Sequence, residues 1–309
     1  MKVLFMGTPD FAVSSLDSII KAGHEVVGVV TQPDKPKGRG KAVLYTPVKE
    51  KALEHNIPVY QPVKVREESV IEELRALKPD IGVVAAFGQI LPQTLLDMPT
   101  HGCVCVHGSL LPKYRGAAPI QWAVIDGEPV SGITIMQMDA GIDTGDMISK
   151  VEVPIDKEET YGSLHDKLAV AGAELLVETL EMFENGTVIR EKQDDSKSNY
   201  AVRLTKELGR IDFSKSAVEL ERLVRGLNPW PSAYTSLNGK TLKVWKADVL
   251  ENQYDGDLGE IVDVTKDSIC VKTADGTLAL KEIQLEGKKR MDVGSFLRGV
   301  TVEKGEKLG

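Results

Sequence analysis

The sequence predicts an α/β fold: a doubly wound, mostly parallel sheet, followed by a small β-rich domain. Three observations carry that expectation. An apolar run at Lys2–Gly7, a helical pattern over 10–22 and a second apolar run over 24–31 make a β-α-β opening, which favours parallel strands. Further runs at 80–86 and 103–106 are continuously apolar, as strands buried on both faces are. From about residue 204 the texture changes to short alternating strands separated by Asn238-Gly239, Asp255-Gly256 and Asp275-Gly276. Such dipeptides mark tight hairpin turns, and strands at that spacing suggest a small β-barrel.

Taken in order, the first helix carries Phe11, Val13, Leu16, Ile19 and Ile20 on one face. Thr8-Pro9 before it suits an N-cap followed by a first helical residue. One early glycine and no G-x-G-x-x-G leave a dinucleotide site unsupported, so the sheet is Rossmann-like without the cofactor fingerprint. Residues 32–44 break the rhythm with two prolines, two glycines and four basic residues against one acid. A surface loop and a nucleic-acid contact would both read this way. Helices are expected over 45–55 and 67–77, with a short strand at 58–61. The strand at 80–86 runs into Phe87-Gly-Gln-Ile-Leu-Pro92, either a plain turn or a place where glycine lets backbone approach a flat ligand. A helix over 118–125, a strand over 132–138, a glycine-rich loop with Asp139, Asp143 and Asp146, a strand over 147–154 and a long helix over 161–184 follow. The polar run 185–200, containing Gln193-Asp-Asp-Ser-Lys-Ser-Asn199, reads as a linker. Beyond it come a helix over 217–227 and strands over 232–237, 241–249, 259–264, 268–273 and 278–284. The expected division is a first domain over 1–185, a linker over 186–205 and the barrel over 206–309.

Composition narrows the classes. Apolar residues make up 42% and charged residues 27% of the 309, an ordinary balance for a packed soluble protein. No apolar run approaches the roughly 18 residues of a membrane span, and the amino terminus reads as a strand rather than a signal peptide. Cys103, Cys105 and Cys270 are too few for a disulfide framework, and a Cys-x-Cys pair without a histidine cluster lacks the ligands of a zinc site; no metal is expected. The cytoplasm is the expected location. Net charge is −8, from 38 basic and 46 acidic residues, yet between Arg203 and Lys246 nine basic residues face four acids. A second basic knot lies at Lys288-Lys289-Arg290. Local patches rather than total charge steer a polyanion, although a solvated face would look the same.

The stretch around His107 concentrates the chemistry. The run 103–106 delivers His107 to the end of a buried strand, and Gly108, Pro112 and Gly116 then release the chain into a loop. The carboxyl ends of strands are where ligands collect in such folds, and histidine exchanges protons near neutral pH. A core histidine closing the strand remains the plainer reading.

His107-Gly-Ser-Leu-Leu-Pro-Lys-Tyr-Arg-Gly-Ala-Ala-Pro119, followed by Met138-Asp-Ala-Gly-Ile-Asp-Thr-Gly-Asp-Met147, closely resembles the 10-formyltetrahydrofolate-dependent formyltransferases. Arg225-Gly-Leu-Asn-Pro-Trp-Pro231 and Glu286-Gly-Lys-Lys-Arg-Met291 resemble the tRNA-acting branch of that family. The resemblance implies transfer of a formyl group from 10-formyltetrahydrofolate, a co-substrate, to the α-amino group of methionine on initiator methionyl-tRNA. It implies His107 and Asp143 as catalytic partners. It implies a folate site from Phe87, Gly88, Gln89, Ile90 and Leu91 together with Ser109, Leu110, Leu111, Pro112 and Asp139. Lys37, Arg39 and Lys41 of the 32–44 loop, with Arg203, Lys206, Arg225, Lys288, Lys289 and Arg290, are the implied tRNA contacts, and the second domain is implied to be an OB-like tRNA-binding barrel. A monomer is expected. The family carries an asparagine two residues before the histidine, where this chain has Cys105. A thiol is a weak donor, so an oxyanion at that position loses support. Formyl transfer to a small amine, a tRNA-binding member with impaired catalysis, and hydrolysis of the formyl donor are the alternatives.

Overall fold

The computed structural model describes residues 1–37, 42–252 and 254–309, without the side chains of 36, 37, 42 and 43. The chain opens with β1 (Lys2–Gly7), α1 (Asp10–Lys21), β2 (Glu25–Val30), β3 (Lys35–Lys37) and β4 (Ala42–Leu44). Next come α2 (Pro47–Glu54), β5 (Val59–Tyr60), α3 (Glu68–Arg75), β6 (Ile81–Ala85) and α4 (Gln93–Leu96). The middle holds β7 (Cys103–His107), β8 (Arg115–Gly116), α5 (Pro119–Asp126), β9 (Val130–Gln137), β10 (Met147–Pro154), α6 (Tyr161–Asn185) and β11 (Tyr200–Ala201). The last third holds α7 (Ala217–Gly226), β12 (Ala233–Leu237), β13 (Lys240–Leu250), β14 (Ile261–Val264), β15 (Ile269–Lys272), β16 (Thr277–Leu285), β17 (Met291–Asp292) and α8 (Val293–Leu297). Two compact units result: 1–119 with 130–154 and 165–201, and 120–129 with 155–164 and 202–309.

The first unit is built on a seven-stranded sheet in the order β10-β9-β7-β6-β1-β2-β5. The five strands from β7 to β5 are parallel, while β9 pairs antiparallel with β7 and β10 antiparallel with β9. Val3, Leu4, Phe5 and Met6 of β1 are fully buried, which a strand covered on both faces requires; each such side chain contributes about 1.5–3 kcal/mol by leaving water. From β1 the chain winds outward to β2 and β5 in one direction and to β6 and β7 in the other. The reversal lies between β1 and β6, and the crevice at such a reversal is where ligands bind. Parallelism brings the carboxyl ends of β2, β1, β6 and β7 to one edge of the sheet, and with them the loop that follows His107.

Several local expectations are corrected. Thr8 is not a helix cap: Pro9 occupies the N-cap position with no side-chain bond, and the Thr8 hydroxyl instead donates to the Phe87 carbonyl at 3.1 Å. It ties the end of β1 to the loop after β6. Within the 32–44 stretch β3 and β4 pair antiparallel, with Lys35 opposite Leu44 and Lys37 opposite Ala42. Its root is held where the Lys49 ammonium meets the Asp34 carboxylate and donates to Gln61 Oε1 at 2.7 Å. Residues 186–201 are no slack linker. Glu191 and Met147 exchange backbone hydrogen bonds of 2.8 Å each, and β11 pairs in parallel with β8.

In the second unit α7 begins with a capping box in which the Ser216 and Glu219 side chains each take the other's backbone amide. Its Leu220 and Val224 pack into the same core as Ile211, Leu242, Val271 and Leu280. The antiparallel sheet runs β12-β13-β16-β15-β14, with β17 on β16, and all five expected strands are present. The C-terminal tail joins its two edges: Leu308 donates to the Gly259 carbonyl at 2.9 Å and Gly309 to that of Ser236 at 3.2 Å. Among the described residues no helix is long and apolar enough to cross a membrane.

Candidate active site

The site grows from the end of β7. Period-two alternation puts Cys103, Cys105 and His107 on one face of that strand. His107 is 6% exposed, and its Nε2 lies 2.9 Å from the Tyr114 carbonyl. A carbonyl only accepts, so Nε2 carries the hydrogen. In the neutral imidazole Nδ1 then carries the lone pair, and it faces Asp143 Oδ2 at 3.7 Å. Tyr114 reaches this place because the loop folds back on itself: its own backbone is left-handed at φ +59°, and Gly116 follows at φ +108°. Ser109 Oγ donates to the Lys113 carbonyl at 2.6 Å, closing the loop from within. Thr134, opposite His107 on β9, donates to the Ser109 carbonyl at 2.7 Å and accepts from Leu111 N at 3.0 Å.

Asp143 comes from the loop between β9 and β10. It too is left-handed, at φ +55°, and its Oδ2 accepts from Gly116 N at 2.7 Å. Gly145 packs so tightly that an added Cβ would stand 1.8 Å from the Gln137 carbonyl oxygen, which only glycine tolerates. The Asp143 carbonyl accepts from Gln193 Nε2 at 2.8 Å. Gln193 also holds Arg115, whose Nε and Nη2 donate to its Oε1 at 3.0 and 2.9 Å. Asn199 Oδ1 accepts from Tyr114 N at 2.5 Å. Thus the 191–201 segment touches the supports of both His107 and Asp143.

The two neighbouring cysteines differ. Cys103 stands over Gly82, where no Cβ would fit beside its sulfur, and its S–H points at the Leu95 carbonyl, 3.7 Å away. Burial pushes that thiol up to about 12. Cys105 packs against Leu111, Met136 and Met147. Its thiol is also pushed well above the ordinary range, first by burial and then by the negative charge of Asp143. It is therefore a neutral S–H near pH 7 and not a thiolate. Among the described residues no cluster of three or more histidine, cysteine, aspartate or glutamate side chains could hold a metal ion.

The loop after β6 lies at the edge of the strand next to β7. Phe87 is buried, and its carbonyl accepts from Thr8 Oγ1 and Gln32 Nε2, both at 3.1 Å. Gly88 is left-handed at φ +83°. Gln89 is engaged at both ends, accepting from Val65 N at 2.8 Å and donating to the Pro62 carbonyl at 3.1 Å. Leu91 is buried while Ile90 is 80% exposed, so of the two only Ile90 offers its side chain outward. Leu110 is half-buried and Pro112 follows a cis peptide bond. Asp139 is exposed, and its Oδ1 is occupied by Gly141 N at 3.0 Å and Thr144 Oγ1 at 2.7 Å. A cleft of about 510 Å³ opens beyond β1 and β2, lined by Thr8, Gln32, Lys35, Tyr45 and Glu50 among others.

Comparison with known proteins places this geometry. The formyl transferase family model matches residues 1–180, and the formyl transferase C-terminal domain model matches residues 203–301. The chain belongs to the formyltransferase family. A methionyl-tRNA formyltransferase of Agathobacter rectalis is 59% identical over 305 residues, covering 99% of this chain and 98% of its own length. One from Clostridioides difficile is 56% identical with both chains covered fully. Among solved structures, the sugar 3N-formyl transferase WlaRD superposes with a TM-score of 0.69 at 22% identity, covering 94% of this chain and 99% of that one. HypX from Aquifex aeolicus, in complex with tetrahydrofolic acid, gives 0.63 at 20% identity over all of this chain and 50% of its own. These two share the fold. The family read from the His107 and Asp143 motifs is the family found.

For a formyltransferase of the tRNA-acting kind, the implied RNA contacts divide into two sets. Arg203, Lys206, Lys288 and Lys289 are exposed. Arg290 is exposed as well, whereas Arg225 is half-buried, and both are engaged with carboxylates. Arg225 is only 15% exposed; it pairs with Glu221 one turn earlier on α7 and donates to the Glu159 carbonyl at 2.8 Å. Arg290 grips Glu282 through two bonds of 2.7 Å and lies 4.6 Å from the Trp245 ring centroid. The side chain of Lys37, and Arg39 and Lys41 entirely, lie outside the described residues. Four supporting residues were not singled out from sequence: Arg115, Thr134, Gln193 and Asn199. Arg115 sat unweighed inside the motif, and the other three act through hydrogen bonds that leave no periodic trace.

Proposed function

We propose that this formyltransferase moves the formyl group of 10-formyltetrahydrofolate onto the α-amino group of the methionine carried by initiator methionyl-tRNA. One observation supports the chemistry: Nε2 of His107 is bonded to the Tyr114 carbonyl, which leaves Nδ1, facing Asp143, as the nitrogen to take part in proton transfer. The acceptor is supported by full-length identity to relatives named methionyl-tRNA formyltransferase. A small-amine acceptor is not favoured, because that match includes the C-terminal domain.

In this reading His107 Nδ1 takes the proton that the amine sheds as its nitrogen bonds to the formyl carbon. The carbonyl electron pair becomes an oxyanion. Asp143 stabilises the imidazolium so formed, an ion pair worth more in a closed site than in water. When the oxyanion collapses, the bond from carbon to the folate nitrogen breaks, and the imidazolium returns its proton to that nitrogen. Phe87–Leu91 with Ser109–Pro112 and Asp139 are read as the folate side, on the adjoining strand ends. Cys105, as a neutral thiol, neither repels the oxyanion nor attacks the formyl group. It also supplies only a weak donor, so this chain leans on His107 more heavily than an asparagine-bearing relative would.

RNA contact is assigned to Arg203, Lys206, Arg225, Lys288, Lys289 and Arg290, with Lys37, Arg39 and Lys41 of the 32–44 stretch. We read the chain as acting in the cytoplasm as a monomer. The test is single-turnover formylation with 10-formyltetrahydrofolate, offering methionyl initiator tRNA, methionyl elongator tRNA and free methionine ester. Transfer to the initiator tRNA alone is expected, with a rate constant for binding that falls steeply with salt. Equal transfer to the free ester, or none to the tRNA, would overturn the assignment.

A further inference from the structure

Gln193 belongs to no motif, yet it is the most fully engaged side chain near the site. It is only 6% exposed. Its Nε2 donates to the carbonyls of Asp143 at 2.8 Å and Gly145 at 2.7 Å, and its Oε1 accepts from Arg115 Nε at 3.0 Å and Nη2 at 2.9 Å. A side-chain amide has two N–H groups and two lone pairs, so it is saturated. Its orientation is forced as well, because guanidinium only donates and carbonyls only accept. Arg115 Nη2 continues to Asp195 Oδ1 at 2.7 Å, and that carboxylate is 81% exposed. A chain of contacts therefore runs from the surface at Asp195 to the backbone of Asp143.

That backbone needs holding. Asp143 sits at φ +55°, a left-handed conformation that is unfavourable for a non-glycine residue. Two bonds oppose its relaxation: Gly116 N to its carboxylate and Gln193 Nε2 to its carbonyl. The first sets where the carboxylate ends, and the second sets where it starts. We infer that Gln193 is a positioning residue for the transfer reaction, holding the Asp143 backbone so that Oδ2 is aimed at His107 Nδ1. Arg115 and Asp195 orient Gln193 in turn. The inference rests on His107 and Asp143 being the reacting pair.

The decisive variant is Gln193→Glu. It keeps the size and the acceptor for Arg115, but turns an oxygen toward two carbonyls where a donor stood. The expected result is a fall in kcat of about 30-fold with KM for methionyl-tRNA within about twofold, because neither substrate is touched. Backbone amide exchange should rise in 139–146 and stay unchanged in 103–107. In an Asp143→Asn background the same substitution should cost nothing further, since a residue acting only through Asp143 has nothing left to position. Multiplying effects, or unchanged exchange in 139–146, would overturn the inference. Should Gln193→Glu not fold, Asp195→Asn at the surface loosens the same chain, and a loss of about threefold in kcat with the same exchange signature is expected; no change in either would count against it. If the natural chain formylates no tRNA, the functional reading falls, and the exchange result still decides whether Gln193 holds the loop.

Discussion

Two segments meet at Asp143, and they could hardly differ more as sequence. The 103–119 stretch is an apolar strand running into a loop of glycine and proline, and it delivers His107 to the edge of a parallel sheet. The 191–201 segment is polar, has only a two-residue strand and sits beneath both loops as a strap, with Gln193 under Asp143 and Asn199 under Tyr114. The first supplies the group that moves protons. The second supplies none, and instead saturates the backbone atoms that two left-handed residues, Tyr114 and Asp143, leave in unusual places. Reactivity and its support are thus divided between segments about 80 residues apart in the chain, as the Arg115 and Gln193 pairing records.

Substitutions in the first segment should have the larger effects. His107→Gln can keep an amide donor for the Tyr114 carbonyl but removes the ring nitrogen that faces Asp143, and single-turnover formylation should slow about 1,000-fold, within the usual span for a general base. A loss below tenfold would mean that another group carries the proton and that the pairing with Asp143 is structural. Cys105→Asn works in the opposite direction. Restoring a neutral N–H donor beside the oxyanion should raise kcat about 100-fold, the lower end of what one such donor is worth. An unchanged rate would place the oxyanion donor elsewhere.

How far each segment could be read beforehand follows from the kind of force that shapes it. Burial leaves a periodic trace, so the apolar runs at β1, β6 and β7 and the helices between them were legible. His107 was legible as the polar end of such a run. Asp143 was not separable from Asp139 and Asp146 except through the family motif, because all three sit in one glycine-rich loop. Gln193 left no trace, since a saturated buried amide looks in sequence like any polar linker residue. Charge counting says nothing of pairing. Arg225 has Glu221 four residues earlier on one helix, a pair that spacing alone allows. Arg290 finds Glu282 only once β17 lies on β16.

The first segment also contains its own control, because Cys103 shares a face with Cys105 but lies deep in the sheet. A thiol whose folded pKa is raised from 9.0 to about 12 stays protonated while the unfolded chain ionises. The unfolded state then binds fewer protons, so stability is full below about pH 9 and falls as pH rises, by about 1.4 kcal/mol per pH unit for this thiol. Urea midpoints measured at pH 8 and pH 10 should separate accordingly, and Cys103→Ala should reduce the difference by the share of one thiol, leaving that of Cys105, which is raised too. An equally steep fall in that variant would assign the loss to other groups.

The smallest expected effect lies in the strap and is the sharpest test of the division. Asn199→Ala removes the acceptor of Tyr114 N while leaving Tyr114 bonded to His107 through its carbonyl. The Arg115 amide still reaches the Asn199 backbone carbonyl at 3.1 Å, so β8 and β11 stay paired. Only the peptide preceding a left-handed residue is loosened, and the lost neutral hydrogen bond is worth about 1 kcal/mol. A fall in kcat of about threefold to fivefold is expected, with KM for both substrates unchanged, because His107 would be aimed less tightly while nothing in contact with substrate is altered. A larger effect on KM than on kcat would show that the strap shapes a binding surface. In that case support and recognition would not be divided between the two segments, and the strap would have to be counted as part of the site itself.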